Sequence, residues 1–195
     1  VNPNGIHVYQ GASINATNLL LSGLAMTNDA FNTFATLGTA VFDTSSTGEV
    51  KVDNGITFVN RETDKLALVG KKVDVAENTI SADSLSVNAT DKATLTDLTY
   101  NGTFTGNDVL DSNGGSLTIS GGTYSGAANL KGSAINMAVE SHTGDMTAQG
   151  INVTLSGGTH SGGDISLQGT NVTMSGVTFD NADKDITLAG LGTDG

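Results

Sequence analysis

Apolar and polar residues alternate in short runs along the C-terminal half of the chain, and the same run returns every 18 or 19 residues. The four copies are Leu117–Gly126, Ile135–Gly144, Val153–Gly162 and Val172–Asn181. Each copy opens on an apolar residue and has another two positions later, at Ile119, Met137, Leu155 and Met174. A period of two places both residues on one face of a strand. A unit this short cannot bury its own apolar face. The pattern therefore predicts coils that stack on one another.

A second alternating strand follows each copy, and turn residues separate the two. The second strands begin near Ala128, Asp145, Asp164 and Asp185, and Gly or Asn recurs just before them, at Gly126, Gly144, Gly162 and Asn181. Gly and Asn tolerate positive φ, which marks this position as a corner. The predicted fold is therefore all-β: a right-handed parallel β-helix (β-solenoid) with coils of about 18–20 residues.

Upstream of residue 117 the repeat is looser. Thr103–Gly106 lies 20 residues before Thr123–Gly126 and resembles it, which suggests equivalent positions in two coils. Asp53–Gly55 separates two strand-like runs and fits either a type I′ hairpin or one corner of a longer coil. Asp29–Gly38 is the one stretch with helical spacing, flanked by a candidate N-cap and a Gly stop.

Composition narrows the function classes. The chain has 20 Asp and Glu against 8 Lys and Arg, which argues against a nucleic-acid partner because phosphate binding needs clustered cations. No apolar run is long enough for a transmembrane helix. Cys is absent, which fits either chance or export of an unfolded chain through a periplasm, where disulfides form.

Rings and carboxylates recur with the repeat. Four rings share one position, namely Tyr124, His142, His160 and Phe179, and we expect a stacking ladder there. Two His alone do not make a tetrahedral metal site, so no metal is predicted. Asp145, Asp164 and Asp185 also share a position; we expect a solvated corner, with calcium binding as the alternative.

Other candidate chemistry is weak. Asn-x-Ser/Thr sequons, candidates for glycosylation or products of chance, begin at Asn15, Asn88, Asn101, Asn152 and Asn171. Thr118, Thr154 and Thr173 share a column that Asn136 interrupts, which argues against ice binding. No catalytic triad, phosphate loop or zinc-protease motif is present, and Arg61 is the single Arg. We therefore predict a protein without catalytic residues or cofactor. A polysaccharide-lyase-like enzyme on a β-helix, or a glycan-binding module, is the alternative.

The chain opens on Asn2-Pro3-Asn4-Gly5, which is well suited to a β-turn. The motif Asn-Pro-Asn-Gly-Ile, with Ile14–Asn18 and Leu66–Ala82 behind it, resembles the secretion domain of two-partner-secretion exoproteins. These are filamentous-haemagglutinin-like adhesins of Gram-negative bacteria. The resemblance covers roughly residues 1–90.

The resemblance implies a right-handed β-helix that is recognised by periplasmic POTRA domains of an outer-membrane β-barrel transporter. It implies a secreted or cell-surface adhesin, with a host receptor or glycan as a further partner. Asn2, Pro3, Asn4, Gly5 and Ile6 match the motif that the family needs for a secretion-competent fold. We accordingly expect residues 1–90 to be part of a secretion-type domain and residues 91–195 to be regular coils continuous with it.

Overall fold

The computed structural model describes residues 1–29, 42–58, 65–106, 115–180 and 182–190. Short strands dominate these ranges because β-branched residues alternate with polar ones between Gly- and Asn-containing corners. The strands are β1 Ile6–Val8, β2 Ser13–Ile14, β3 Asn18–Ser22, β4 Val50–Val52, β5 Thr57–Phe58, β6 Lys65–Val75, β7 Asn78–Thr96, β8 Leu98–Gly106, β9 Ser116–Ser120, β10 Thr123–Ser125, β11 Ala128–Ala138, β12 Ser141–Thr143, β13 Met146–Ser156, β14 Thr159–Ser161, β15 Ile165–Ser175, β16 Thr178–Asp180 and β17 Ile186–Gly190.

All pairings between these strands are parallel and join equivalent positions of successive coils. The molecule is thus a β-solenoid of about six turns, which confirms the predicted fold class. Each regular coil contributes three paired segments. In one coil these are residues 146–150, 152–156 and 159–161, which pair with residues 165–169, 171–175 and 178–180 of the next.

The core is a set of apolar columns that run between coils. Leu117, Ile135 and Val153 are stacked in register and buried, as the repeat predicts. Ile119, Met137 and Leu155 form the second predicted column in the same way. Burial of each column depends on the neighbouring coils, since one coil alone covers only one side of its side chains.

The looser upstream coils correct one predicted equivalence. Tyr124 pairs with Tyr100, 24 positions upstream, and Phe104 pairs instead with Ala128. The likeness between Thr103–Gly106 and Thr123–Gly126 is therefore misleading, because the offset between these two coils is 24 residues rather than 18 or 19. The Phe104 ring still contacts the Tyr124 ring, with centroids 5.9 Å apart.

Two other ambiguous stretches have different outcomes. Asp53–Gly55 is a corner rather than a hairpin, because β4 and β5 on either side of it pair in parallel with strands of other coils. Of the helical candidate Asp29–Gly38, residues 30–38 lie outside the described residues. The expected division near residue 90 falls within β7, which runs through it as a continuous strand; the division itself stays a prediction.

The last described coil leaves its apolar column uncovered. Ile186 and Leu188 are 42% and 51% exposed, whereas their register partners Ile165 and Leu167 are each 1% exposed. Among the described residues β17 pairs on one side only, with β15, so its other edge and these apolar side chains are uncovered there. Across the parts of the chain described here, no helix has the length and apolar character needed to cross a membrane.

Candidate functional site

The Asn-Pro-Asn-Gly motif forms the turn that its residue types predict. The Gly5 N–H donates to the Asn2 carbonyl at 2.9 Å, which closes a four-residue turn. The Asn4 N–H also lies 3.2 Å from the Asn2 side-chain oxygen. Gly5 has a φ of 103°, a conformation that Gly adopts without the cost that a Cβ imposes. Asn2 and Gly5 thus have separate conformational roles in the turn.

Both arms of the turn are tied to the next coils. The Asn2 N–H donates to the Ser22 carbonyl, and the Ile6 N–H donates to the Glu49 carbonyl, each at 2.8 Å. Gly48 lies directly below, where a Cβ would come within 2.5 Å of the Pro3 carbonyl oxygen. Gly23 packs on Gly48 just as closely, since a Cβ on either would meet the other's backbone. These glycines let the first coils approach one another beneath the turn.

The apex of the turn is open to solvent. Asn2, Pro3 and Asn4 are exposed, whereas Gly5 and Ile6 are half-buried where β1 begins. The motif therefore has an anchored base and an accessible tip. The structure brings all five predicted motif residues together at one end of the solenoid.

A small charged cluster lies on the same coils. His7 Nε2 and Lys51 Nζ are 3.0 Å and 3.1 Å from the Asp53 carboxylate, and these hydrogen bonds lower the pKa of Asp53. The sequence left His7 without a role. Its side chain joins β1 to the corner after β4, and in this exposed setting each of the two contacts contributes little to stability.

Asn78 was missed by the sequence analysis and holds three backbone groups of one corner. Its side-chain oxygen accepts the Ile56 N–H at 2.8 Å, and its amide donates to the Asp53 and Ala76 carbonyls at 2.9 Å each. The residue is only 6% exposed. The sequence contained one sign of this role: Asn78 is a polar residue among the inward-facing apolar residues Val73, Val75 and Ile80.

A groove of about 520 Å³ opens beside this corner and spans three coils. Its lining contains two carboxylates, three threonines and one aromatic residue: Glu77, Asp97, Thr57, Thr79, Thr99 and Phe58, with Asn54, Gly55, Ile56 and Asn78 completing it. Its volume lies within the range of small-molecule sites. No sequence motif pointed to this groove, because its residues come from three separate coils.

The ring column forms with the predicted register. Tyr124, His142, His160 and Phe179 lie at equivalent positions of β10, β12, β14 and β16. Ring centroids are 5.8 Å apart between the two His and 6.0 Å apart between His160 and Phe179, and the planes are tilted by about 40° rather than stacked flat. Both imidazoles are fully buried.

The polar atoms of this column are poorly satisfied. His142 Nε2 contacts the Gly126 carbonyl at 3.2 Å, but within the described part of the chain His142 Nδ1, both His160 nitrogens and the Tyr124 hydroxyl have no hydrogen-bond partner. Burial lowers the pKa of His160 to about 4 and also lowers that of His142. Both rings are therefore neutral near pH 7.

The Asp column has a structural role. The Asp145 carboxylate accepts the backbone N–H of Asp164 at 3.0 Å, and the Asp164 carboxylate accepts that of Asp185 at 3.1 Å. Each carboxylate thus caps the strand of the next coil. Among the residues that the structure describes, no group of three or more His, Cys, Asp or Glu could hold a metal ion.

The sequons differ in accessibility. Asn88 is 4% exposed and donates to the Ser86 hydroxyl at 2.8 Å, so the folded protein does not present it for modification. Asn15, Asn152 and Asn171 are exposed, and the last two are hydrogen-bonded to each other at 2.9 Å. The side chain of Asn101 lies outside the described residues. Glycosylation itself stays a prediction.

No protein-family model, no curated protein and no solved structure matches this chain.

Proposed function

We propose that this chain is the secretion-domain end of a bacterial two-partner-secretion exoprotein, exported through an outer-membrane transporter and displayed as a surface adhesin. The observation that carries the proposal is the Asn2–Ile6 turn. It combines a tip that is open to a partner with a base that is hydrogen-bonded to Ser22 and Glu49.

The turn is suited to start the folding of a solenoid. It fixes the register of β1 on β4, in which Ile6 pairs with Val50 and Val8 with Val52. Each later coil then uses the previous one as its template, because strand pairing and burial of the apolar columns both need a formed neighbour. A chain that emerged from a pore could fold coil by coil in this way.

The regular coils are suited to a stalk, because each pairs in register with its neighbours between residues 128 and 180. The exposed faces of such a stalk are available for adhesion. The proposed role is structural and adhesive rather than catalytic. Turnover of pectate-like polymers in an ultraviolet lyase assay with calcium would contradict it.

The direct test is binding of the purified chain to the POTRA domains of its cognate transporter, measured by biolayer interferometry. We expect binding that is about three- to tenfold weaker in Asn2→Ala, which removes the acceptor for the Asn4 N–H. Asn129→Ala, at an exposed site in β11, is the matched control and should bind like the unchanged chain. Absence of binding by the unchanged chain would argue against the proposal.

A further inference from the structure

A column of hydroxyl side chains follows the solenoid axis on the third segments of the coils. The pairing register aligns Thr79, Thr99, Thr123, Ser141, Thr159 and Thr178. All six are exposed or half-buried. Each is followed along its strand by a more deeply buried residue, which from Thr123 onward is a member of the ring column. Successive hydroxyls are therefore about 4.8 Å apart along the axis. We call this set the hydroxyl column.

The groove described above lies at the N-terminal end of the hydroxyl column and includes its first two members, Thr79 and Thr99. Thr57, Glu77 and Asp97 add another hydroxyl and two exposed carboxylates around them. A cavity thus opens directly onto a straight, uncharged polar row.

Asp97 is held in an unusual backbone conformation, with a φ of 51°. A residue other than Gly in this region marks a position whose strain the surrounding fold must offset. The next coil leaves space for its carboxylate, since a Cβ on Gly121 would collide with Asp97 Oδ1. The carboxylate is therefore accommodated by the fold at the rim of the groove.

We propose that the groove and the hydroxyl column bind a neutral, linear oligosaccharide that lies along the solenoid axis. Sugar hydroxyls donate to carboxylates in charge-assisted hydrogen bonds, and they exchange hydrogen bonds with Thr side chains. Phe58, half-buried in the groove wall, supplies apolar surface for a sugar ring. The groove volume admits the first sugars, and the column offers hydroxyls to the following ones.

Charge selects a neutral ligand. The ten lining residues include two carboxylates and no cationic side chain, and the whole chain carries a formal charge of −12. Sulfated or uronate polymers would be repelled. The hydroxyl column beyond the groove consists of Thr and Ser, and the exposed Glu140 beside Ser141 is a single carboxylate rather than a row that a polycation could follow. This inference goes beyond the proposed export role and does not depend on it.

The test starts with a glycan array that carries neutral hexose and N-acetylhexosamine oligosaccharides beside sulfated, uronate and amino glycans, together with oligolysine. A neutral glycan retained by the full chain is then titrated by NMR. We expect the shifted amide signals to cluster at Thr57, Thr79 and Thr99. In Glu77→Gln and Thr79→Val, which keep side-chain shape, we expect binding to weaken about three- to tenfold.

Thr147→Val is the control, because Thr147 is an exposed Thr of β13 on another segment. It should bind like the unchanged chain. Retention of charged glycans or oligolysine alone, no retention of any neutral glycan, or shifts that cluster elsewhere would each overturn the inference. Equal affinity of Glu77→Gln, Thr79→Val and the control would overturn it as well. The shift map on the unchanged chain stands even if a variant fails to fold.

Discussion

The imidazoles of His142 and His160 face each other across two successive coils, with ring centroids 5.8 Å apart and neither ring accessible to solvent. Among the described residues, neither His160 nitrogen has a hydrogen-bond partner. The pair fills space in the core as apolar rings do elsewhere in the same column. Its polar atoms make the core sensitive to protons.

Acid should therefore loosen the solenoid at this column. Burial lowers the pKa of His142, and the hydrogen bond to the Gly126 carbonyl and the charge of Asp145 partly oppose that lowering. Burial lowers the pKa of His160 to about 4, below the usual value of 6.5. Between these values the unfolded chain binds more protons than the folded one, so stability is complete above pH 6.5 and falls as pH decreases toward 4. We expect a loss of about 2 kcal/mol in the free energy of unfolding between pH 7 and pH 4.5, measured by urea denaturation.

His160→Phe is the matched variant, because Phe179 already occupies the same column in the next coil. It should flatten the pH dependence over this range. Carboxylates such as Asp53, whose pKa is lowered, lose their contribution only at more acidic pH. A variant that kept the full pH dependence would assign it to other groups.

The neighbouring glycines Gly157 and Gly158 should respond differently to Ala. Both have positive φ, 64° and 75°, so each substitution carries a backbone cost of about 1 kcal/mol. A Cβ on Gly157 meets nothing within 4 Å, whereas one on Gly158 would collide with the Val139 carbonyl oxygen of the preceding coil. We expect Gly158→Ala to destabilise by about 2 kcal/mol more than Gly157→Ala in thermal or urea unfolding. Equal losses would contradict the close approach of the coils.

Asn78→Ala should lower the free energy of unfolding by about 2–3 kcal/mol, because it leaves one buried backbone donor and two carbonyls without their partner. Asn129→Ala removes an exposed amide and should change stability by less than about 0.5 kcal/mol. Urea denaturation of both variants measures the difference. If the two losses were alike, the corner would not depend on the Asn78 side chain.

The open end gives a second matched pair. Ile165 and Ile186 are register partners, 1% and 42% exposed. In the 195-residue chain we expect Ile165→Ala to cost about 2–4 kcal/mol and Ile186→Ala less than about 1 kcal/mol. Calorimetry on the two variants measures this. A larger loss at Ile186 would mean that another part of the molecule covers the last coil.

The sequence was informative wherever coil length is constant. Between Leu117 and Phe179 the columns, including the His pair, follow from offsets of 18 and 19, because stacking requires side chains of one kind at each position. The pairing of Ile165 with Ile186 has an offset of 21. The sequence was misleading at Phe104, where the likeness of residues suggested that it pairs with Tyr124 at an offset of 20. In the structure Tyr124 pairs with Tyr100, at an offset of 24. A longer coil shifts the register without leaving a mark on local composition.

The groove and Asn78 were out of reach for a related reason. Two of the three partners of Asn78 lie 22 and 25 residues away, and the groove combines residues of three coils, so these groups become neighbours only through coil stacking. The Asn2–Gly5 turn is local, and its hydrogen bonds follow from residue types alone. Local turn chemistry and regular columns could thus be predicted, whereas sites assembled across irregular coils could not.

The central claim is export through a partner transporter, and the most direct measurement is the amount of this chain in the culture medium of a Gram-negative host. We predict that the unchanged chain, made with a signal sequence, reaches the medium when its cognate transporter is present. Asn4→Val should remain in the periplasm, since it places a β-branched residue in the turn, and Asn129→Val should be exported normally. Equal amounts of the unchanged chain in the medium with and without the transporter, or normal export of Asn4→Val, would contradict the account.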